Sequence, residues 1–326
     1  MLLLCAKDLI TLTAEDVITM NKYLQSFLRF FKKEPTTEPV KESSKNVALV
    51  LGGGGARGFA HIGAIEALEA HGYKITSIAG TSMGALIGGL YACGKLEKAK
   101  EIITGLTRKK ILSLIDISPG LNHIATADRI TQLLSELTGD ITIEKLPIPF
   151  CCVASDLVSG KEFVFDNGSL AQAIRCSISI PGFFSPVHLD DHVFVDGSVH
   201  NALPLNRIKR QEDDILVAVN ASAPEDPTLA VPKVNTQEDT DFWKKMLHKL
   251  PLIKDKLSDN VLMMALRLCQ IVVETNTETS LKIAPPDICI DVPINRYDIL
   301  AFDKGKEIIE YGRKEMEEKL QKVAPA

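Results

Sequence analysis

The chain has 326 residues, 45% of them hydrophobic and 24% charged, with a formal net charge of −5. That length buries a sizeable core in one large domain or two modest ones, and the composition fits neither disorder nor a membrane bundle. The acidic balance argues against nucleic acid as the main partner, and seven cysteines without a CxxC pair or zinc-like spacing read as reduced, buried small residues of a cytosolic protein.

Residues 1–45 differ in texture from the rest. From Met20, Tyr23, Leu24, Phe27, Leu28, Phe30 and Phe31 alternate with Lys22, Arg29, Lys32 and Lys33, which predicts an amphipathic cationic helix over 20–33 followed by a polar linker. Such a helix either packs on the domain or rests transiently on a membrane surface with its lysines toward anionic headgroups. Met1 and Met20 both stand as possible starts. There is no run of about 18 or more apolar residues and no secretory signal pattern, so a cytoplasmic location is expected, peripheral to the inner membrane face if 20–33 binds lipid.

From Asn46 onward, short apolar runs alternate with helical periods. "VALVL" and "ITSIAG" predict strands, and "AHIGAIEALEAHG" and "MGALIGGLYACG" predict the helices that follow the two glycine-bearing turns. "PFCCVASDL", "DDILVAVNAS" and "DICIDVPI" predict further buried strands. The mixed stretch 104–128 suggests a cap over a site opening, and the acidic, proline-rich 223–241 suggests a surface excursion. A helix is expected around 257–275, and the C-terminal "DKGKEIIEYGRKEMEEKLQKV" reads as a charged amphipathic helix. Strands separated by helices predict an α/β domain over 46–326, three layers α/β/α around a mainly parallel sheet, with 223–285 as an excursion and helical insertion.

Gly53, Gly55 and Gly58 satisfy G-x-G-x-x-G between a strand and a helix, the pattern by which glycines admit a pyrophosphate to a helix N-terminus. The acid expected about 20 residues later to hold a ribose is missing. In its place stands Gly80-Thr81-Ser82-Met83-Gly84, a G-x-S-x-G turn between strand and helix. Small residues two before and two after a serine relieve crowding in a sharp elbow and leave Oγ exposed above the sheet. If the two strands are neighbours, the amides of Gly53, Gly54 and Gly55 lie beside Ser82 and serve as oxyanion donors. Arg57 either adds positive charge there or closes the loop structurally.

A serine nucleophile needs a base, and His61, His71, His123, His188, His192, His200 and His248 offer no clear one. Asp196 stands apart, because it ends the apolar run "VFV" and precedes Gly197 in a tight turn.

The ordered motifs Gly-Gly-Gly-Ala-Arg-Gly (53–58), Gly-Thr-Ser-Met-Gly (80–84) and Asp-Gly-Ser (196–198), with "AIRCSISIPGFFSPV" (173–187), resemble the patatin-like phospholipase family. The similarity is strongest to bacterial members akin to the catalytic domain of neuropathy target esterase, and it runs from about Asn46 to Asn220. The resemblance implies a patatin-like fold and a Ser-Asp dyad of Ser82 and Asp196. It also implies an oxyanion hole in the glycine loop (Gly53, Gly54, Gly55, Arg57, Gly58), an elbow of Gly80, Met83 and Gly84, no metal or cofactor, and acyl-lipid ester substrates. "SISIPGFFSPV" would line the acyl chain. Ser198 departs from the usual Asp-Gly-Gly or Asp-Gly-Ala, and the turn is expected to survive it. An acyltransferase shares every one of these residues, and a regulatory protein with a little-used site remains a reading of another class. A nucleotide-dependent oxidoreductase is disfavoured by the missing acid.

Overall fold

The computed structural model describes residues 45–107, 110–111, 127–229 and 259–323. The segment 20–33, most of the expected cap and residues 230–241 of the excursion lie outside the described residues. Among the described residues, eight strands form one sheet: β1 (Asn46–Leu51), β2 (Lys74–Thr81), β3 (Phe150–Asp156), β4 (Lys161–Phe165), β5 (Val187–Leu189), β6 (His192–Asp196), β7 (Ile215–Ala223) and β8 (Ile288–Pro293). Strands β3, β2, β1, β7 and β8 run parallel in that order. Strands β4, β5 and β6 add antiparallel pairs around β3.

The helices are α1 (Ala60–Ala70), α2 (Met83–Ala92), α3 (Leu96–Thr104), α4 (Asp128–Thr138), α5 (Leu170–Ser177), the single turn α6 (Ser198–Asn201), α7 (Asp259–Ile283) and α8 (Gly305–Val323). Side chains alternate across a strand, and the central strands, buried at almost every position, feed two cores. Val47, Leu49, Leu51, Val217 and Val219 pack with Ile62 and Ile65 of α1, Ile87 of α2 and Ile308 and Met316 of α8. Ala48, Val50, Leu216 and Ala218 pack on the opposite face with Leu203 and Leu205, against which Leu281 of α7 lies. The result is the expected three-layer α/β/α arrangement with a mainly parallel sheet. The helix expected near 257–275 continues to Ile283. Among the described cysteines, all free, Cys151, Cys152 and Cys176 are buried as expected, whereas Cys93, Cys269 and Cys289 are only partly covered.

One detail of the sheet decides where the site forms. Strand β3 pairs with β2 through Val153, with β6 from Ala154 onward, and with β4 over Cys152–Asp156. A strand has two hydrogen-bonding edges, and β4 overlaps both other partners. Strands β2 and β6 therefore share the remaining edge of β3 end to end, with Thr81 opposite Val153 and Asp196 opposite Ala154. Ser82, the next residue after Thr81, is thereby brought against Asp196. Strand β6 is fixed by Phe194, fully buried, whose ring lies 5.0 Å from that of Phe163 and 5.2 Å from that of Phe165.

Candidate active site

Ser82 caps α2 with φ 54° and ψ −119°, a conformation that costs a non-glycine residue on the order of 1–3 kcal/mol. The glycines around it are needed for close approach. A Cβ on Gly80 would lie 2.5 Å from the Gly84 carbonyl oxygen, and one on Gly84 would lie 2.0 Å from that of Leu51. The Ser82 amide donates to Ser177 Oγ at 2.9 Å, and that hydroxyl donates to the Val153 carbonyl at 2.6 Å. The neighbouring Thr81 hydroxyl donates to the Asn201 carbonyl at 2.8 Å. Met83 packs against Gly58, where a Cβ would come within 2.5 Å of the methionine Cγ, so the elbow and the glycine loop are in contact.

Ser82 Oγ donates to Asp196 Oδ2 at 2.5 Å. The other carboxylate oxygen accepts the Ser198 amide at 2.8 Å, so the turn holds with serine at 198. The Asp196 amide donates to the Ser179 carbonyl. Burial pushes the Asp196 carboxyl above the usual carboxylate range, opposed by the hydrogen bonds from Ser82 and Ser198. Among the described residues, no histidine bonds to either side chain. His61 is buried, donates from Nε2 to the Gly52 carbonyl at 2.8 Å, and is driven by burial down to about 4, so it is neutral. His192 bonds to Asp156 and His200 to the Gly160 carbonyl, while His123 and His248 lie outside the described residues.

The glycine loop joins β1 to α1. The Gly53 amide, grouped with its neighbours on sequence, donates to the Ala202 carbonyl at 2.8 Å and is thereby occupied. The amides of Gly54 and Gly55 have no acceptor among the described residues. Arg57 is buried; its Nε donates to the Ala221 carbonyl at 2.8 Å and its Nη1 to the Tyr297 carbonyl at 3.3 Å. Burial brings its pKa down to about 10, with Asp298 opposing, so it stays protonated near neutrality. These bonds close the loop, and Arg57 also lines the cavity that holds Ser82 and Asp196. Gly58 sits a turn further on, inside the 3-10 helix Gly55–Phe59.

A cavity of about 440 Å³ is lined by Gly54, Gly55, Ser82 and Asp196 together. Ile180 and Pro181 of the "SISIPGFFSPV" stretch form part of its apolar wall with Val199 and Ile299, whereas Phe184 packs with Ile111 and Ala127. Sequence reasoning missed Ser177, whose hydroxyl ties the elbow to β3. Its only signal was a pair of small polar residues, Ser177 and Ser179, inside an otherwise apolar run. Among the described residues, no cluster of histidine, cysteine or acidic side chains could hold a metal.

The site is a strained serine at a strand-to-helix elbow, bonded to a buried aspartate at the end of a mainly parallel sheet in an α/β protein. The patatin-like phospholipase family model matches residues 49–207, just under half of the chain. An NTE family protein of Mycobacterium tuberculosis is 43% identical over 56% of this chain and 51% of its own length. Neuropathy target esterase sws of Drosophila melanogaster is 28% identical over 83% of this chain and 19% of its own. Lysophospholipase NTE1 of Scheffersomyces stipitis is likewise 28% identical, over 83% of this chain and 18% of its own. The matched part of the chain thus spans about half the length of that mycobacterial relative and under a fifth of the other two. Superposition on VipD from Legionella pneumophila gives a TM-score of 0.46 at 16% identity, covering 86% of this chain and 67% of that one.

Proposed function

We propose that the protein is a serine lipid acyl hydrolase of phospholipase or lysophospholipase type, with Ser82 as nucleophile and Asp196 as its base. The observation that carries this reading is the 2.5 Å hydrogen bond from Ser82 Oγ to Asp196 Oδ2 at the wall of the cavity. Asp196 accepts the hydroxyl proton as Oγ attacks the ester carbonyl carbon. Burial makes that carboxylate a stronger base than one in water. The tetrahedral oxyanion rests on the unoccupied amides of Gly54 and Gly55, and Arg57, held by its bonds to the Ala221 and Tyr297 carbonyls, keeps the loop in place and adds positive charge at the wall of the same cavity. The proton then passes to the departing alcohol, and water cleaves the acyl-enzyme with the same groups in reversed roles.

The family match and a relative named lysophospholipase support an acyl-lipid ester as substrate. An acyl chain suits the apolar wall at Ile180, Pro181, Val199 and Ile299. The catalytic domain proposed is 46–326, with residues 1–45 as an extension whose 20–33 segment makes transient contact with lipid. The test is fatty-acid release from a lysophospholipid by the wild type and by Ser82→Ala. Release that depends on Ser82 supports the reading. Equal release by both proteins would remove it.

A further inference from the structure

The glycine loop presents one peptide in an orientation that the rest of the protein sets. A trans peptide points its carbonyl and its N–H in opposite directions, and no peptide bond among the described residues is cis. In the peptide joining Gly52 to Gly53, both ends are taken: the carbonyl accepts from His61 Nε2 at 2.8 Å and the N–H donates to Ala202. The next peptide, Gly53 to Gly54, is held at one end only. Its carbonyl accepts from Ser222 Oγ at 2.7 Å. Its N–H points the other way, has no acceptor among the described residues, and belongs to Gly54 in the wall of the Ser82 cavity.

Ser222 is itself fixed. Register between β7 and β8 slips after Asn220, so that Asn220 lies opposite Asp291 while Ala223 lies opposite Pro293. A bulge of this kind re-aims a side chain beside a site, and here it turns Ser222 under the loop. The Ser222 amide donates to Asn220 Oδ1 at 3.1 Å, and Asn220 Nδ2 donates to Asp291 Oδ1 at 3.0 Å. The residue is 5% exposed. A chain of three side chains, from β8 through β7, thus ends on the Gly53 carbonyl.

We infer that Ser222 is a positioning residue for the oxyanion hole: its hydroxyl clamps the Gly53 carbonyl and so aims the Gly54 N–H at the developing negative charge. The inference rests on the proposed roles of Ser82 and Gly54. The clamp matters because the peptide lies between two glycines, whose backbone torsions meet little steric resistance. Without a donor on its carbonyl, the peptide can turn over, and a carbonyl oxygen would then face the oxyanion where an N–H should. That exchange replaces an attraction by a repulsion at the transition state while leaving the acyl-binding wall untouched.

The experiment measures kcat and KM on a monomeric short-chain ester, together with the rate of fluorophosphonate labelling and the melting temperature. The proteins are wild type, Ser222→Ala, Ser222→Cys, Ser222→Thr and Ser82→Ala. An oxyanion donor contributes about 10²- to 10³-fold in kcat, and its misorientation should forfeit about 10- to 100-fold of that. Ser222→Ala should show this fall in kcat and in labelling rate, with KM within about twofold, since the cavity wall loses one oxygen at Ser222 while the apolar wall at Ile180, Pro181, Val199 and Ile299 is unchanged. Ser222→Cys keeps the side-chain shape without a strong donor and should resemble alanine, so it carries the test if the alanine protein unfolds. Ser222→Thr, which keeps the hydroxyl, should recover most of the loss. Turnover by Ser222→Ala or Ser222→Cys within about twofold of wild type would overturn the inference, as would a rise in KM alone or a threonine protein no better than alanine. Activity surviving in Ser82→Ala would instead sink the hydrolase reading, and the role of Ser222 with it.

Discussion

Alanine at position 84 tests whether the elbow is set by contact between α2 and β1. Gly84 is the second residue of α2, and in an ordinary helix Gly→Ala is stabilising by about 1 kcal/mol. Here the added Cβ would lie 2.0 Å from the Leu51 carbonyl oxygen, 2.5 Å from its carbonyl carbon and 2.9 Å from its Cβ. Real contacts of this type do not fall below 3.0 Å, and the blocking atoms are mostly main chain in a central strand. The start of α2 must therefore retreat by about 1 Å, since a close-packed interior transmits such strain. Overpacking costs about 1–3 kcal/mol, so the propensity gain is cancelled or exceeded. Ser82 immediately precedes this helix, and a shift of about 1 Å in a reacting group costs about 10²-fold in rate. Short-chain ester hydrolysis by Gly84→Ala, with circular dichroism to establish folding, reads both effects. A folded variant that melts no lower than wild type and turns over within about threefold of it would refute the contact argument.

Three further outcomes are expected. Asp196→Asn should lose about 10²- to 10⁴-fold in kcat yet melt higher than wild type at pH 7. The folded carboxyl is raised by burial, so its contribution to stability is present below the unfolded carboxylate pKa and lost as pH rises through the folded one. A lower melting temperature at pH 7, or an acid limb of kcat at the position of an ordinary carboxylate, would contradict this. Ser177→Ala leaves the Ser82 amide and the Val153 carbonyl without their shared partner; kcat should fall about tenfold or more with KM unchanged and Ser177→Thr restoring it, and equal kinetics for all three proteins would contradict it. Phe194→Ala empties a fully buried site between Phe163 and Phe165 and should cost about 3–5 kcal/mol in urea denaturation, against which a loss below about 1 kcal/mol would count.

The parallel core was legible because its strands are buried on both faces. "VALVL" and the "ILVAV" within "DDILVAVNAS" are apolar without interruption. Ser82 and Asp196 were legible from the small residues that crowded turns demand. The way they meet was not. Strand β4 is mostly half-exposed and β5 has three residues, too little apolar pattern to reveal that β6 takes over the edge of β3 where β2 ends. The glycine loop was read as three equivalent donors. Only the fold assigns the Gly53 amide to Ala202 and leaves the amides of Gly54 and Gly55 without a partner among the described residues. Arg57 and Ser222 act on main-chain carbonyls 164 and 169 residues away, and such partners leave no trace in residue type or spacing.

The most direct measurement is intact-mass and peptide analysis after exposure to a fluorophosphonate ester, on wild type, Ser82→Ala and Asp196→Asn. The account predicts a single adduct on Ser82 in the wild type, none in Ser82→Ala, and labelling slowed by about 10²-fold or more in Asp196→Asn. A folded wild type that takes no adduct, or an adduct that persists in Ser82→Ala, would contradict it.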